Sequence, residues 1–314
     1  MAHCLVLGAN GFIGSHLVDA LVAQGHTVRA FDRFGGEGHE RYLPDGLVEK
    51  FQGDFMNMGD IERALEGMEY VFHFVSTTTP ATAENAPLID VETNIHASIE
   101  LFELCTAKGI KRVVYASTGG AIYGESTQEL RSEDDTPLPV SPYAIGKLTI
   151  EHYLRYFKVK HGLDSISLRI SNPYGERQPM HRKQGVIPIF LENVLAGKQL
   201  TVFGDGTMVR DYLYVRDLAS MIAGMFEKPA KYPVYNVGSG KGFTVNQLIG
   251  AIEEVSGQKA SLVHESVPAT FVQRVVLDTS RFAEEFNLKP QTSLADGLKA
   301  TYRYIQSEVR SEHA

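Results

Sequence analysis

The 314-residue chain has no tryptophan, only two cysteines, and no uninterrupted apolar stretch long enough to span a bilayer. Cys4 lies in the first expected strand and Cys105 in an apolar helix, so a disulfide framework is excluded and both thiols are expected to be buried. Basic charge is scarce too: 30 Lys and Arg stand against 38 Asp and Glu, a formal net charge of −8, and no basic run occurs. That balance removes nucleic acid and anionic membranes from the expected partners. No His/Cys/Asp cluster has metal-ligand spacing, so no metal is expected. Internal repeats and low-complexity linkers are also lacking. The opening residues read as a strand running straight into glycines, without a basic segment followed by a long apolar one, and the expected compartment is the cytoplasm.

What is present is a long alternation of strands and helices, in a chain large enough for one big α/β domain or two closely joined ones. Cys4-Leu5-Val6-Leu7 is a short continuous apolar run, as a parallel strand buried on both faces requires. Then come Gly8-Ala9-Asn10-Gly11-Phe12-Ile13-Gly14 and a helical pattern (Phe12, Ile13, Leu17, Val18, Leu21, Val22) closed by Gly25. A second strand, 27–31, ends at Asp32. The glycines permit a tight turn and close approach of a pyrophosphate to a helix N-terminus, and Asp32 is placed for the adenosine ribose hydroxyls. Relative to G-x-G-x-x-G the first glycine comes one residue early and Ala9 fills the second position. A carboxylate at Asp32 repels a 2′-phosphate, which favours NAD over NADP. Arg33 beside it either softens that preference or is a solvated loop residue.

Strands are expected at 48–52, 70–75, 112–116 and 165–170, alternating with helices at 58–66, 94–108 and one starting near Tyr143. Asp54, followed by Phe55, either accepts from the adenine amino group or simply ends its strand. His73, inside an apolar run, reads as a core residue. Residues 76–87, rich in Thr, Ala and Pro, read as a loop at the carboxyl edge of the sheet, where open α/β folds bind ligands. Ser117 and Thr118 arrive at the same edge, followed by Gly119 and Gly120. They are either a turn cap or donors to a reacting hydroxyl.

Tyr143 and Lys147 stand four apart at the head of a helical pattern continued by Leu148, Ile150, Tyr153, Leu154 and Phe157, so both project from one helix face. A free phenol has a pKa of about 10, and an adjacent ammonium favours the phenolate, which would make the pair a proton-transfer device. Alone, the pattern is equally that of an ordinary helix tyrosine and a solvated lysine.

After residue 170 the alternation breaks into shorter elements: a helix at 187–195, a strand at 200–203, the segment 209–215 with a helix from Asp217, a strand at 233–237, a helix at 245–255, a strand near 261–264 and two terminal helices. A nucleotide-binding domain over 1–170 and a smaller substrate domain drawn mainly from 171–314, with some segments returning to the first core, is the expected division. Residues 307–314 are charged and are expected to fray.

Several stretches together carry a resemblance over almost the whole chain. They are Gly8-x-x-Gly11-x-x-Gly14, Asp32, Asp54, Asn94, Ser117-Thr118, Ile122-Tyr123-Gly124 and Tyr143-x-x-x-Lys147, then Arg169-x-x-Asn172-x-Tyr174-Gly175-x-Arg177-Gln178, and Phe203-Gly204-Asp205-Gly206 before Val209-Arg210-Asp211-Tyr212. In this order they resemble the extended short-chain dehydrogenase/reductase family, and within it the nucleotide-sugar 4-epimerases of the UDP-glucose and UDP-N-acetylglucosamine type. The resemblance implies a Rossmann-like, doubly wound parallel sheet holding NAD, a smaller C-terminal α/β lobe for a UDP-sugar, and a homodimer formed through the helices near Asn94 and Tyr143. It implies Tyr143 as catalytic base, Lys147 as the lysine that binds the nicotinamide ribose and lowers the tyrosine pKa, and Thr118 as hydrogen-bond partner of the sugar O4. For the cofactor it implies contacts from the turn (Gly8, Gly11, Phe12, Ile13, Gly14), from Asp32, Arg33, Asp54 and Phe55, and from Val75, Asn94, Ser117, Tyr143 and Lys147. For the substrate it implies Thr118, Tyr143, Asn172, Val186, Arg210 and Arg274. Arg210 has a second reading, a structural pair with its neighbour Asp211.

Departures from the family pattern narrow the expectation. The 4,6-dehydratases carry an acidic pair after the threonine, where this chain has Gly119-Gly120. Epimerases carry an Arg-x-x-Asp grip on diphosphate and ribose; counted back from Asp278, those places fall on Pro268 and Phe271, with Arg274 as a nearby substitute or a solvent-facing residue. The same count puts the residue that excludes N-acetylated sugars at Val275, whose small side chain would admit UDP-GlcNAc and UDP-GalNAc beside UDP-Glc and UDP-Gal. The expected activity is UDP-hexose 4-epimerisation, with a nucleotide-sugar reductase or dehydratase of the same family as the alternative and a non-catalytic dinucleotide sensor behind both.

Overall fold

The computed structural model describes residues 1–35, 40–179, 185–268 and 271–312. In chain order the first part runs β1 (His3–Leu7), α1 (Phe12–Ala23), β2 (Thr27–Asp32), β3 (Val48–Gln52), α2 (Met58–Ala64), β4 (Tyr70–His73), α3 (Pro80–Asn85), α4 (Pro87–Asp90), a π-helical turn Val91–Ile95, α5 (His96–Ala107), β5 (Arg112–Thr118), α6 (Pro142–His161) and β6 (Ser165–Ile170). The rest runs β7 (Asn172–Tyr174), α7 (Val186–Leu195), β8 (Leu200–Phe203), β9 (Val209–Tyr214), α8 (Val215–Met225), β10 (Val234–Val237), β11 (Gly242–Thr244), α9 (Val245–Ser256), β12 (Leu262–Glu265), β13 (Arg274–Val275), α10 (Ser280–Phe286) and α11 (Leu294–Glu312).

Among the described residues seven strands form one sheet in the order β10-β6-β5-β4-β1-β2-β3, every pair parallel. The order reverses between β1 and β4, the crevice at which doubly wound sheets take their ligands. Core side chains of α1, α8 and α10 (Leu17, Leu21, Met221, Met225, Phe282) cover one face; those of α2, α5 and α6 (Ile61, Leu101, Phe102, Leu154, Phe157) cover the other. A third apolar cluster joins α7, α9 and α11 to β8 and β9 through Leu191, Leu200, Tyr212, Leu248 and Leu298. Later segments do return to the large sheet, since β10 pairs with β6 while α8 and α10 cover its face.

Three expectations need correction. Residues 76–87 are not a plain loop, because Thr79 and Thr82 form a reciprocal capping box and Pro80 and Pro87 open two short helices. Thr and Pro favour loops, but at the cap and first-turn positions they start helices instead. The short strands β7, β11 and β13 carry too little periodicity to be expected from sequence. The C-terminal segment stays helical to Glu312, with Ile305 in the third cluster, and residues 313–314 lie outside the described ones. No helix among the described residues is long and apolar enough to cross a membrane.

Candidate active site

The glycine turn is fixed by backbone alone. Gly8 has φ of 84°, and a Cβ there would lie 2.9 Å from the carbonyl oxygen of Phe74, at the end of the neighbouring strand. A Cβ on Gly14 would overlap the carbonyl oxygen of Gly8. Gly11 caps α1 without a side chain, and the first turn, with Phe12 and Ile13, has no acidic residue, so the positive end of the helix faces outward uncapped. Asp32 is held at the end of β2, its carboxylate accepting from the amides of Asn10 (2.9 Å) and Arg33 (2.8 Å); the Arg33 side chain is exposed. These are the features of a dinucleotide cradle, and the residues present fit NAD.

Helix α6 carries Tyr143 and Lys147. Ser141 caps it, its hydroxyl accepting from the Ala144 amide; Pro142 sets the first turn, and Gly162 ends it with φ of 75°. Tyr143 therefore sits in the first turn and Lys147 one turn later, 8% exposed. Lys147 Nζ donates to the Ala116 carbonyl at 2.9 Å and lies 5.0 Å from the ring centre of Tyr115 and 5.7 Å from that of Tyr143. The hydroxyls of Tyr143 and Thr118 make no hydrogen bond to any described residue, although Thr118 is buried. Both remain available to a ligand at the carboxyl edge.

The expected lowering of the tyrosine pKa is not what the protein alone produces. Burial, reinforced by the Asp90 carboxylate, pushes Tyr143 up to about 12. Burial brings Lys147 down to about 8 against the pull of Asp90 and Glu151. Desolvation, which disfavours the charged form of each group, is the largest cause of both shifts.

Other candidates are occupied by the protein itself. Ser117 Oγ donates to Glu151 at 2.5 Å, and Glu151 is bonded by Arg169 at 2.8 and 3.2 Å, a buried ion pair with both side chains 5% exposed. Asn94 donates to Thr78 Oγ1 (2.9 Å) and Asp90 Oδ1 (2.8 Å) and accepts from the Thr77 amide (3.0 Å), so it anchors the 77–78 loop. Asp54 is exposed and accepts from the Met56 amide, while Phe55 is core, 5.2 Å from the ring of His73. Val75 is half-buried beside Gly8. His73 is core as well, Nε2 bonding Ser98 Oγ at 2.7 Å. A Cβ on Gly119 would lie 2.8 Å from the Arg169 carbonyl oxygen and 2.5 Å from Leu277, so this backbone has no room for an acidic side chain there.

The strands β9 and β13 separate the two arginines. Arg210 does not pair with Asp211: the Asp211 carboxylate accepts from Ser239 (amide 2.8 Å, hydroxyl 2.6 Å) and the Gly240 amide (3.1 Å), tying β9 to the loop after β10. Arg210 donates to the carbonyls of Val209 and Gln273, and burial lowers its pKa with no carboxylate at ion-pair distance among the described residues. In the parallel register Arg274 faces Val209 and Val275 faces Arg210. Alternation along a strand thus puts Arg274 on the opposite face from Arg210, where it donates to the Glu129 carbonyl at 3.2 Å. Asn172 Nδ2 donates to the Asp211 carbonyl, and its Oδ1 would lie 3.4 Å from a Cβ on Gly120. Val186 opens α7 half-buried. Val275 is buried with Ile122, Tyr123 and Leu277, and Phe271 lies against Phe203 with ring centres 5.3 Å apart.

Sequence reading missed Glu151, four residues after Lys147, and Asp90, four before Asn94. The helical spacing was the available signal.

The model of the NAD dependent epimerase/dehydratase family matches residues 4–238. The UDP-glucose 4-epimerase of Thermotoga maritima, solved with UDP-glucose, superposes with a TM-score of 0.91 at 36% identity, covering 98% of this chain and 99% of that one. The UDP-glucose 4-epimerase of Thermus thermophilus in complex with NAD gives 0.89 at 34% identity, covering 97% and 99%. The dTDP-4-dehydro-6-deoxyglucose reductase of Escherichia coli is 31% identical over 311 residues, 96% of this chain and 97% of that protein.

Proposed function

The chain belongs to the NAD-dependent epimerase/dehydratase family, and on that ground we propose that it interconverts the C4 epimers of a UDP-hexose with NAD held throughout the cycle. The carrying observation is that the hydroxyls of Thr118 and Tyr143 have no hydrogen-bond partner among the described residues at the edge that also holds the glycine turn. Tyr143 is the base and acid at the sugar O4, Thr118 shares its hydrogen bond, and Lys147 supplies the positive charge beside the phenol. NAD, when bound there, would supply the acceptor and donor for the C4 hydride. Gly8, Gly11, Gly14 and Asp32 hold the dinucleotide. Arg210, a half-buried guanidinium with no carboxylate at ion-pair distance among the described residues, and Asn172 meet the diphosphate; Arg274, on the other strand face, is left out of that role. The part of 171–314 built around α7, α9 and α11 serves as substrate lobe.

The closed space at Gly119 supports epimerisation over dehydration, since a dehydratase needs an acid for its leaving group. Net reduction is the second reading, favoured by the likeness to the E. coli reductase. A homodimer belongs to the same proposal: Ile145, Tyr156 and Val159 form an exposed apolar stripe on α6, 50%, 46% and 81% accessible.

Incubating the purified protein with UDP-Glc, and separately with UDP-GlcNAc, without added cofactor, and following C4 stereochemistry by proton NMR tests this. The galacto product is expected from UDP-Glc. Conversion of UDP-GlcNAc as well would extend the substrate range as the small Val275 predicts; no conversion of either, with NAD supplied, would overturn the proposal.

A further inference from the structure

Asp90 is 4% exposed at the end of α4, which packs on α6. Its Oδ1 accepts from Thr78 Oγ1 at 2.5 Å and Asn94 Nδ2 at 2.8 Å. Its Oδ2 lies against the backbone of α6 between Tyr143 and Lys147, at Gly146, where any side chain would overlap it. The glycine in that motif has no turn to make; it is helical and it admits a carboxylate.

Buried carboxylates need a counter-charge. Glu151 has one in Arg169. Asp90 is held by two neutral donors, so its charge is left for the groups around it. Those groups are Tyr143 and Lys147 on α6 and Tyr115 on β5, whose buried hydroxyl has no partner among the described residues; beside Lys147 stand the already paired Glu151 and His73 on β4, whose pKa burial and Lys147 hold at about 3. Glu84 on α3 and Glu92 on the π-helical turn are exposed, and His96 on α5 pairs with Glu100. Within this set of described residues, Lys147 is the cation left to answer Asp90.

We propose that Asp90 is a positioning residue of this centre, the buried counter-charge that keeps Lys147 an ammonium beside Tyr143, with Gly146 making room for it. The role rests on the functional reading above in so far as Lys147 serves catalysis; the charge relation itself does not. The geometry that carries it is Asp90 Oδ2 packed on Gly146, the residue before Lys147, and Asp90 and Glu151 both oppose the lowering of the Lys147 pKa by burial. The same carboxylate adds to the burial that raises the Tyr143 pKa.

Titration of the Lys147 ε-carbon by NMR, assigned by its loss in Lys147→Arg, tests the inference without substrate. In Asp90→Asn, which preserves shape and both donors' acceptor, the Lys147 midpoint falls by about one pH unit. In Thr78→Val, which removes one donor and keeps the charge, it stays within about 0.3 of a unit. An unmoved midpoint in Asp90→Asn, an equal shift in both variants, or a wild-type Lys147 neutral at neutral pH would overturn it. With UDP-Glc, the alkaline limb of the wild-type rate profile moves down by the same amount in Asp90→Asn. Absence of wild-type turnover would count against the epimerase reading alone, and the titration would still decide the role of Asp90.

Discussion

The glycine turn and the β9/β13 strand pair are built on opposite plans. Between Gly8 and Gly14 the surface of the proposed binding region is backbone: three glycines, an uncapped helix end and one carboxylate fixed by two amides. Between Arg210 and Val275 it is side chain, and what each side chain meets depends on a register of two paired residues. A backbone site is readable from residue types in order, because only glycine tolerates the contacts it makes. A side-chain site of this kind is readable only once the strands are paired, since a shift of one residue moves each group to the other face.

Gly14→Ala is the largest break of the first plan. Its Cβ would overlap the Gly8 carbonyl, so a cost of about 3 kcal/mol in stability is expected, with loss of co-purifying NAD measured by absorbance of the denatured protein. A variant that keeps both its melting temperature and its NAD would show that the turn is not backbone-limited.

A smaller, sharper contrast sets the arginines of the second plan against each other. Arg210→Ala is expected to raise KM for the UDP-sugar by roughly tenfold to a hundredfold, the worth of hydrogen bonds to a charged group. Arg274→Ala is expected to change it by less than about threefold, in line with a surface contact to a carbonyl. Equal effects in steady-state kinetics would mean that the opposite-face placement of Arg274 does not govern binding.

The same distinction marks what was legible beforehand. The order of strands up to Ile170 and the helix bearing Tyr143 and Lys147 follow from apolar periodicity and glycine spacing, which are local, whereas the two short helices opened by Pro80 and Pro87 do not. The side chains of Asn94 and Ser117 are bonded to Asp90, one helical turn away, and to Thr78 and Glu151, which the fold brings in from 16 and 34 residues away. The direction of the Tyr143 shift reversed for a similar reason: a helical interval brings the lysine near, whereas burial, set by tertiary packing, decides the balance. Gly119 reads as a gap in a dehydratase motif and becomes, in the fold, a contact with Leu277 and the Arg169 carbonyl.

The central claim is that one hydride leaves C4 and returns to the same carbon. UDP-glucose carrying deuterium at C4, turned over by the protein as purified, tests it by mass spectrometry and NMR of the product. Retention of the deuterium at C4 of the galacto product, with no net change in nicotinamide absorbance, is the predicted result. Loss of the label to water, or stoichiometric consumption of NADH or NADPH, would contradict it.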